Sequence, residues 1–303
     1  QSQLGLVYLG AIFHDALYYY DGPETEVHTL ADTLHGAQGE NTFDVLDALD
    51  AFGQAPAPLS TWSQTFRLGV ASHIFTDIHF HPMVYFYTGN YYDSDPTQQA
   101  LAQRCHRKLE AQLDWLLAQD TIFERTHKLS FILGRHREAL RHILEALCSA
   151  SPLFEEVSAE QLLSAYESYA MAQRVYQSRL LMTGLKGARF LLPKHLQHTV
   201  DQLNTLRFTR KLEPDYTFLE QGFEFRHPVT NEAIRTTVFE LREKAVCATL
   251  TYLANAQAQS AKRWGPSLET GLPKVGVGAM AYFASTAESL PVQYSKDCAR
   301  LQV

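Results

Sequence analysis

The residues able to do chemistry are imidazoles and carboxylates set at helical spacing. The segment 68–82 reads LGVASHIFTDIHFHP. His73, Asp77 and His81 recur there every four residues, a spacing that drifts about 40° per step on an α-helix and keeps all three on one face. His106 and Glu110 repeat the interval further along. Imidazole nitrogen and carboxylate oxygen are ligand types that zinc accepts, and i,i+4 neighbours can converge on one ion. His73 and His81 stand roughly 12 Å apart along a straight helix axis, too far to share an ion. The spacing therefore predicts two centres: His73 at one, His81 with His106 and Glu110 at the other, and Asp77 serving the first or bridging. A lone histidine on a helix is commonly a surface or hydrogen-bonded core residue. Here the surrounding ASHIFTDIHFHPMVYFY (71–87) is apolar enough to be buried. Burying three imidazoles and a carboxylate without partners is costly, and bound cations relieve that cost. A multi-zinc centre can make hydroxide near neutral pH and clamp phosphoryl oxygens.

The elements that must position these groups read as helices. Residues of about 60–86 form a long helix that Pro82 kinks or ends. Further helices are predicted at 96–119, 135–148, 158–181 and 237–262, with a shorter one at 41–52. Ser158 and Gln161 are placed to form a capping box. Strand character is confined to FLEQGFEFRHP (218–228). Loops are expected at 53–58, 183–193, 222–228 and 265–278. The fold class is all-α, with a less regular C-terminal third: a single helical domain over 1–262, its metal core in about 9–118, and an arm or tail over 263–303.

Composition fits an ordinary globular protein. The 303 residues are 46% hydrophobic and 19% charged, with a formal net charge of -7. An acidic balance argues against a dedicated nucleic-acid partner. No stretch is long and apolar enough to span a bilayer. Cys105, Cys148, Cys247 and Cys298 form no Cys-x-x-Cys pair and read as free thiols. With no leader visible, they suggest a cytoplasmic protein, or a secreted one whose leader has been removed.

Four blocks in order, LGAIFHDALYYYDG (9–22), LADTLHG (30–36), RLGVASHIFTDIHFHP (67–82) and CHRKLEAQLDWLL (105–117), resemble the zinc-dependent phospholipase C family. FRHPVTNEAIRTTVFELREKA (225–245) resembles a later segment of its bacterial members. The resemblance implies the multi-helical bundle shared with S1/P1-type nucleases, and two or three zinc ions. It implies Asp15 as an early ligand able to orient the attacking water, and His35 as the next ligand with His28 as competitor. It implies His73 with Asp77 as the bridging carboxylate, and His81, His106 and Glu110 on a separate zinc. Asp15 and Asp77 are then the catalytic carboxylates. The implied substrate is a phospholipid or another phosphodiester, met at a transient membrane contact. The chain departs from the pattern twice. His14 stands where many members carry proline before the aspartate, and it reads as filling that position more than as an added ligand. No histidine precedes His14 where the family's third zinc takes an early histidine or the N-terminal amine. Tyr18–Tyr20 and the aromatics of 85–92 read as packing rather than as a cage for a choline headgroup.

Overall fold

The computed structural model describes residues 3–23, 25–118, 128–178, 182–184, 187, 193, 212–256 and 263–273. Among them the fold is all-α apart from one short hairpin. The helices are α1 (Leu4–Ala11), α2 (Phe13–Ala16), α3 (Glu26–His35), α4 (Asp44–Asp50), α5 (Leu59–Thr88), α6 (Pro96–Leu117), α7 (Leu129–Ala150), α8 (Ala159–Gln177) and α9 (Val238–Ala256). The hairpin pairs β1 (Phe223–Arg226) with β2 (Ala233–Thr236) antiparallel, Phe223 opposite Thr236. The chain divides into two compact units: Gln1–His79, Phe123–Met171 and Arg242–Ala279 in the first, Phe80–Ile122, Ala172–Leu241 and Met280–Val303 in the second.

The helix ends follow local chemistry. The Asp95 side chain accepts from the Thr97 amide and caps α6, with Pro96 at its first position. Ser158 and Gln161 form the expected reciprocal capping box before α8. Thr237 and Glu240 form a second one at the start of α9. α5 runs without interruption past Pro82, so proline does not end it. α7 begins six residues before its expected start. The expected strand is shorter than 218–228, because Pro214–Glu220 is a 3-10 helix. α1, α2 and α3 lie in sequence that gave no helical prediction. α1, LGLVYLGA, is apolar nearly all round and so shows no periodicity. The last residues of the predicted 158–181 helix and residues 274–303 of the expected arm lie outside the described residues, as does Cys298. Cys105, expected as a free thiol, is disulfide-bonded. Cys148 and Cys247 are free.

In the first unit, Leu9, Phe13, Leu17, Phe66, Val70, Ile74, Leu140, Leu144, Leu147 and Tyr166 form a fully buried core. α1 and α5 touch backbone to backbone within it. A Cβ on Gly10 would lie 2.0 Å from the Phe66 carbonyl oxygen, and one on Gly69 would lie 2.0 Å from that of Val7. Just beyond this contact α1 breaks at Ile12, and α2 begins. The Tyr166 hydroxyl donates to the Leu9 carbonyl at 2.7 Å and anchors the break. In the second unit, Phe80, Met83 and Val84 of α5 pack with Leu109, Leu113 and Leu116 of α6 and with Phe223, Phe225, Val238 and Leu241. Buried Gln112 accepts from the Glu213 amide at 2.9 Å. Lys108 pairs with the Glu213 carboxylate.

The glycine contact is sensitive to a single methyl group, because the obstructing atoms are backbone. Gly69→Ala should cost at least about 1–3 kcal/mol, read as a lower urea midpoint at constant m. An unchanged midpoint would mean the two helices can part freely.

Candidate metal centres

The first cluster lies wholly in the first unit. α2 carries Asp15, the last residue of α3 is His35, and α5 carries His73 and Asp77. α3 stops where it does because Gly36 adopts φ +69°, with the Gly36 and Ala37 amides returning to Thr33 and Asp32 carbonyls. His35 Nδ1 is 2.7 Å from the Ala31 carbonyl oxygen, so it carries a proton there, and Nε2 faces the carboxylates. His35 Nε2 lies 3.5 Å from Asp15 Oδ1 and 3.9 Å from Asp77 Oδ2. His73 lies 3.9 Å from Asp15 Oδ2 through Nδ1 and 3.1 Å from Asp77 Oδ2 through Nε2. One donor atom from each of Asp15, His35 and His73 falls within 4.8 Å of the others. His73 and His35 are buried, while the Asp15 side chain is 49% exposed and faces solvent.

His28, the alternative to His35, is elsewhere: its Nε2 meets the Tyr20 carbonyl oxygen at 3.0 Å. His14 is completely buried, its ring stacked on His73 at 4.5 Å and edge-on to His35 at 5.5 Å. Of two further contributors, Tyr18 was read from the sequence as packing and Glu269 escaped that reading. The Tyr18 hydroxyl donates to Asp32 Oδ1 at 2.9 Å and covers the His35 ring at 5.4 Å. Glu269 is a buried carboxylate whose charge acts on His35. It belongs to a segment fastened to α3 and α5: the Leu268 amide donates to the His35 carbonyl at 3.1 Å, and Gly271 sits against the Ile78 carbonyl. Only a run of breakers and weak periodicity marks that segment in sequence.

The second cluster lies wholly in the second unit and joins His81 of α5 to His106 and Glu110 of α6. Glu110 Oε1 is 3.1 Å from His106 Nε2 and 3.7 Å from His81 Nε2. Aromatic edges wall it in, with Tyr85 and Tyr91 each 5.1 Å from the His106 ring.

Both clusters fit a divalent cation. Donor atoms bound to one tetrahedral zinc stand about 3.3 Å apart, given bonds of about 2.0–2.2 Å. The observed separations of 3.1–3.9 Å bracket that figure. His106 Nδ1 and both nitrogens of His14 are buried without a hydrogen bond. The electrostatics agree. Burial alone would push the His35 imidazole down, but the carboxylates of Asp15, Asp77 and Glu269 hold it up at about 9. Burial also lowers His73, and Asp77 with Asp15 more than reverses it. Loss of solvent would raise Glu110, but the His106 and His81 imidazoles hold it well below the usual carboxylate range. His14 is held low by burial and then by His73 and His35. Metal-free, the protons on His35 and His73 stand in for the cation.

That substitution has a pH signature. A raised His35 adds stability that is fully present below about pH 6.5 and is lost as pH rises through about 9. Metal ligation needs the neutral ring, so zinc must expel the proton. Calorimetry between pH 7 and 8 in buffers of different ionisation enthalpy should show proton release on zinc binding, fading above pH 9. Binding with no proton release would remove His35 from the ligand set.

A family model described as zinc dependent phospholipase C matches residues 2–153, half of the chain and every element that carries the two clusters. No curated protein and no solved structure matches. The matched span contains the ordered blocks around Asp15, His35, His73–His81 and His106–Glu110, and on that ground the chain belongs to the zinc dependent phospholipase C family.

Proposed function

We propose that this chain is a zinc-dependent phosphodiester hydrolase that cleaves a glycerophospholipid in the manner of a phospholipase C. Family membership supports the reaction class. The observation that carries the reading is a half-exposed carboxylate, Asp15, set against two buried imidazoles brought by other helices. Asp15, His35, His73 and Asp77 would hold one cation, and His81, His106 and Glu110 another. Bound zinc lowers the pKa of a water molecule and polarises phosphoryl oxygens.

The chain's own groups do the rest. His35 is locked in one tautomer by the Ala31 carbonyl and presents Nε2 to the cation. Asp77, its side chain 13% exposed, sits against both His73 and His35 and fixes their spacing. Asp15 turns Oδ1 to His35 and Oδ2 to His73 while keeping one side open to solvent. It is therefore the group placed to orient an attacking water and to take its proton on a carboxylate oxygen. Phe13, edge-on to His14 at 6.0 Å, packs against Phe66, and both are fully buried. No helix among the described residues is long and apolar enough to cross a membrane.

Diacylglycerol release from phosphatidylcholine vesicles tests the reading. Chelator should abolish release and zinc should restore it. Asp15→Asn at saturating zinc should lower kcat by about 10²–10⁴-fold, with the circular dichroism spectrum unchanged. A zinc-loaded chain that turns over neither vesicles nor a small chromogenic phosphodiester would sink the proposal. Cleavage of the small ester alone would move the substrate into solution.

A further inference from the structure

His14 has no role in the ligand set just described, yet its surroundings are those of a ligand. It is completely buried on α2, and neither ring nitrogen makes a hydrogen bond. Any protonation state of imidazole carries at least one N–H, and the neutral ring also carries a lone pair. A fully buried ring with both nitrogens unsatisfied is therefore unfavourable in every form. A phenylalanine would fill the same space without that penalty. The nitrogen must then serve something the protein chain alone does not supply.

We propose that His14 is an additional metal ligand of the first centre, so that the cation there meets three imidazoles in place of two. The proposal rests on reading Asp15, His35 and His73 as a cation site. The ring geometry carries it. The ring centres lie 4.5 Å apart for His14 and His73, 5.5 Å for His14 and His35, and 5.7 Å for His35 and His73. Three points so spaced fall on a circle of radius about 3.1 Å. A zinc-bound imidazole holds its ring centre about 3.2 Å from the ion, given a Zn–N bond of about 2.0–2.1 Å. The three ring centres thus leave room for one cation between them; the His14 and His73 planes are stacked, 23° apart, so the His14 ring must tilt out of that stack for its nitrogen to meet the ion. A half-turn of the His14 ring about χ2 exchanges its carbon and nitrogen edges without moving its centre, so packing does not dictate which edge faces the ion. The ligand also comes from a well-fixed element, since α2 follows directly on the α1–α5 backbone contact at Gly10 and Gly69.

The test compares wild type with His14→Phe, His73→Phe and the control His28→Phe. Zinc affinity is read by chelator competition, and the ligand field by the visible spectrum of the cobalt(II)-loaded protein. His14→Phe should keep the fold, with a melting temperature in chelator no lower than wild type. It should weaken zinc binding by at least about tenfold, shift the cobalt bands, and shrink the melting-temperature rise that zinc gives. His28→Phe should leave affinity and spectrum unchanged. If the phenylalanine variant does not fold, His14→Ala leaves a ring-sized gap, and added imidazole should restore the wild-type cobalt spectrum. Wild-type affinity and spectrum in His14→Phe, alongside loss in His73→Phe, would overturn the role of His14 alone. Unchanged binding in His73→Phe, or no zinc bound by wild type, would instead overturn the cation site beneath it.

Discussion

Two helices share a contact that only glycine permits. Gly10 of α1 and Gly69 of α5 bring backbone against backbone, and side-chain carbon at either position would collide with a carbonyl oxygen. The consequence reaches the first centre within five residues. Gly69 is four residues before His73, and Gly10 is five before Asp15. A rigid contact at the glycines leaves Asp15 and His73 little freedom to part. Tyr166 tightens the arrangement by binding the Leu9 carbonyl just ahead of the Ile12 break, where α2 swings Asp15 toward α5. Positioning by packed backbone suits a metal centre, because ligands held by rigid elements lose less freedom when the ion binds.

The same packing sets the electrostatics. Imidazoles at His14, His35 and His73 are buried beside the partly buried carboxylate of Asp77, and Asp15 keeps contact with water. Withdrawing such groups from solvent is unfavourable unless charge is balanced locally. The raised protonation of His35 and His73 is the balance the chain finds by itself. A divalent ion supplies more charge at the same place and frees the rings to act as ligands.

Much of this was legible in the sequence, and the boundary of legibility is physical. The i,i+4 recurrence of His73, Asp77 and His81, and of His106 and Glu110, is a local property of one helix. It therefore predicts which side chains share a face. Choosing between His28 and His35 was not local: both lie on α3, and the choice follows from which of them the fold brings against Asp15 and Asp77, His28 meeting the Tyr20 carbonyl instead. Glu269 reaches the first centre through contacts more than 190 positions away in sequence, for which no pattern exists. α1 hid its helix because its residues are apolar on every side. The disulfide at Cys105 was missed for the same reason as Glu269: Cys-x-x-Cys motifs report neighbours in sequence, while pairing reports neighbours in space.

The two clusters also differ in charge, and that difference bears on what each can do. The first sets two carboxylates, Asp15 and Asp77, around its imidazoles, with Glu269 acting on His35 from behind. A divalent ion there is fully neutralised by its own protein ligands. Such a centre holds its ion firmly and draws in further anions weakly. The second offers one carboxylate, Glu110, to two imidazoles. A divalent ion there keeps a net positive charge and an appetite for an anionic oxygen, within walls made of the Tyr85 and Tyr91 rings. The two centres thus differ in the net charge they would leave on a bound divalent ion.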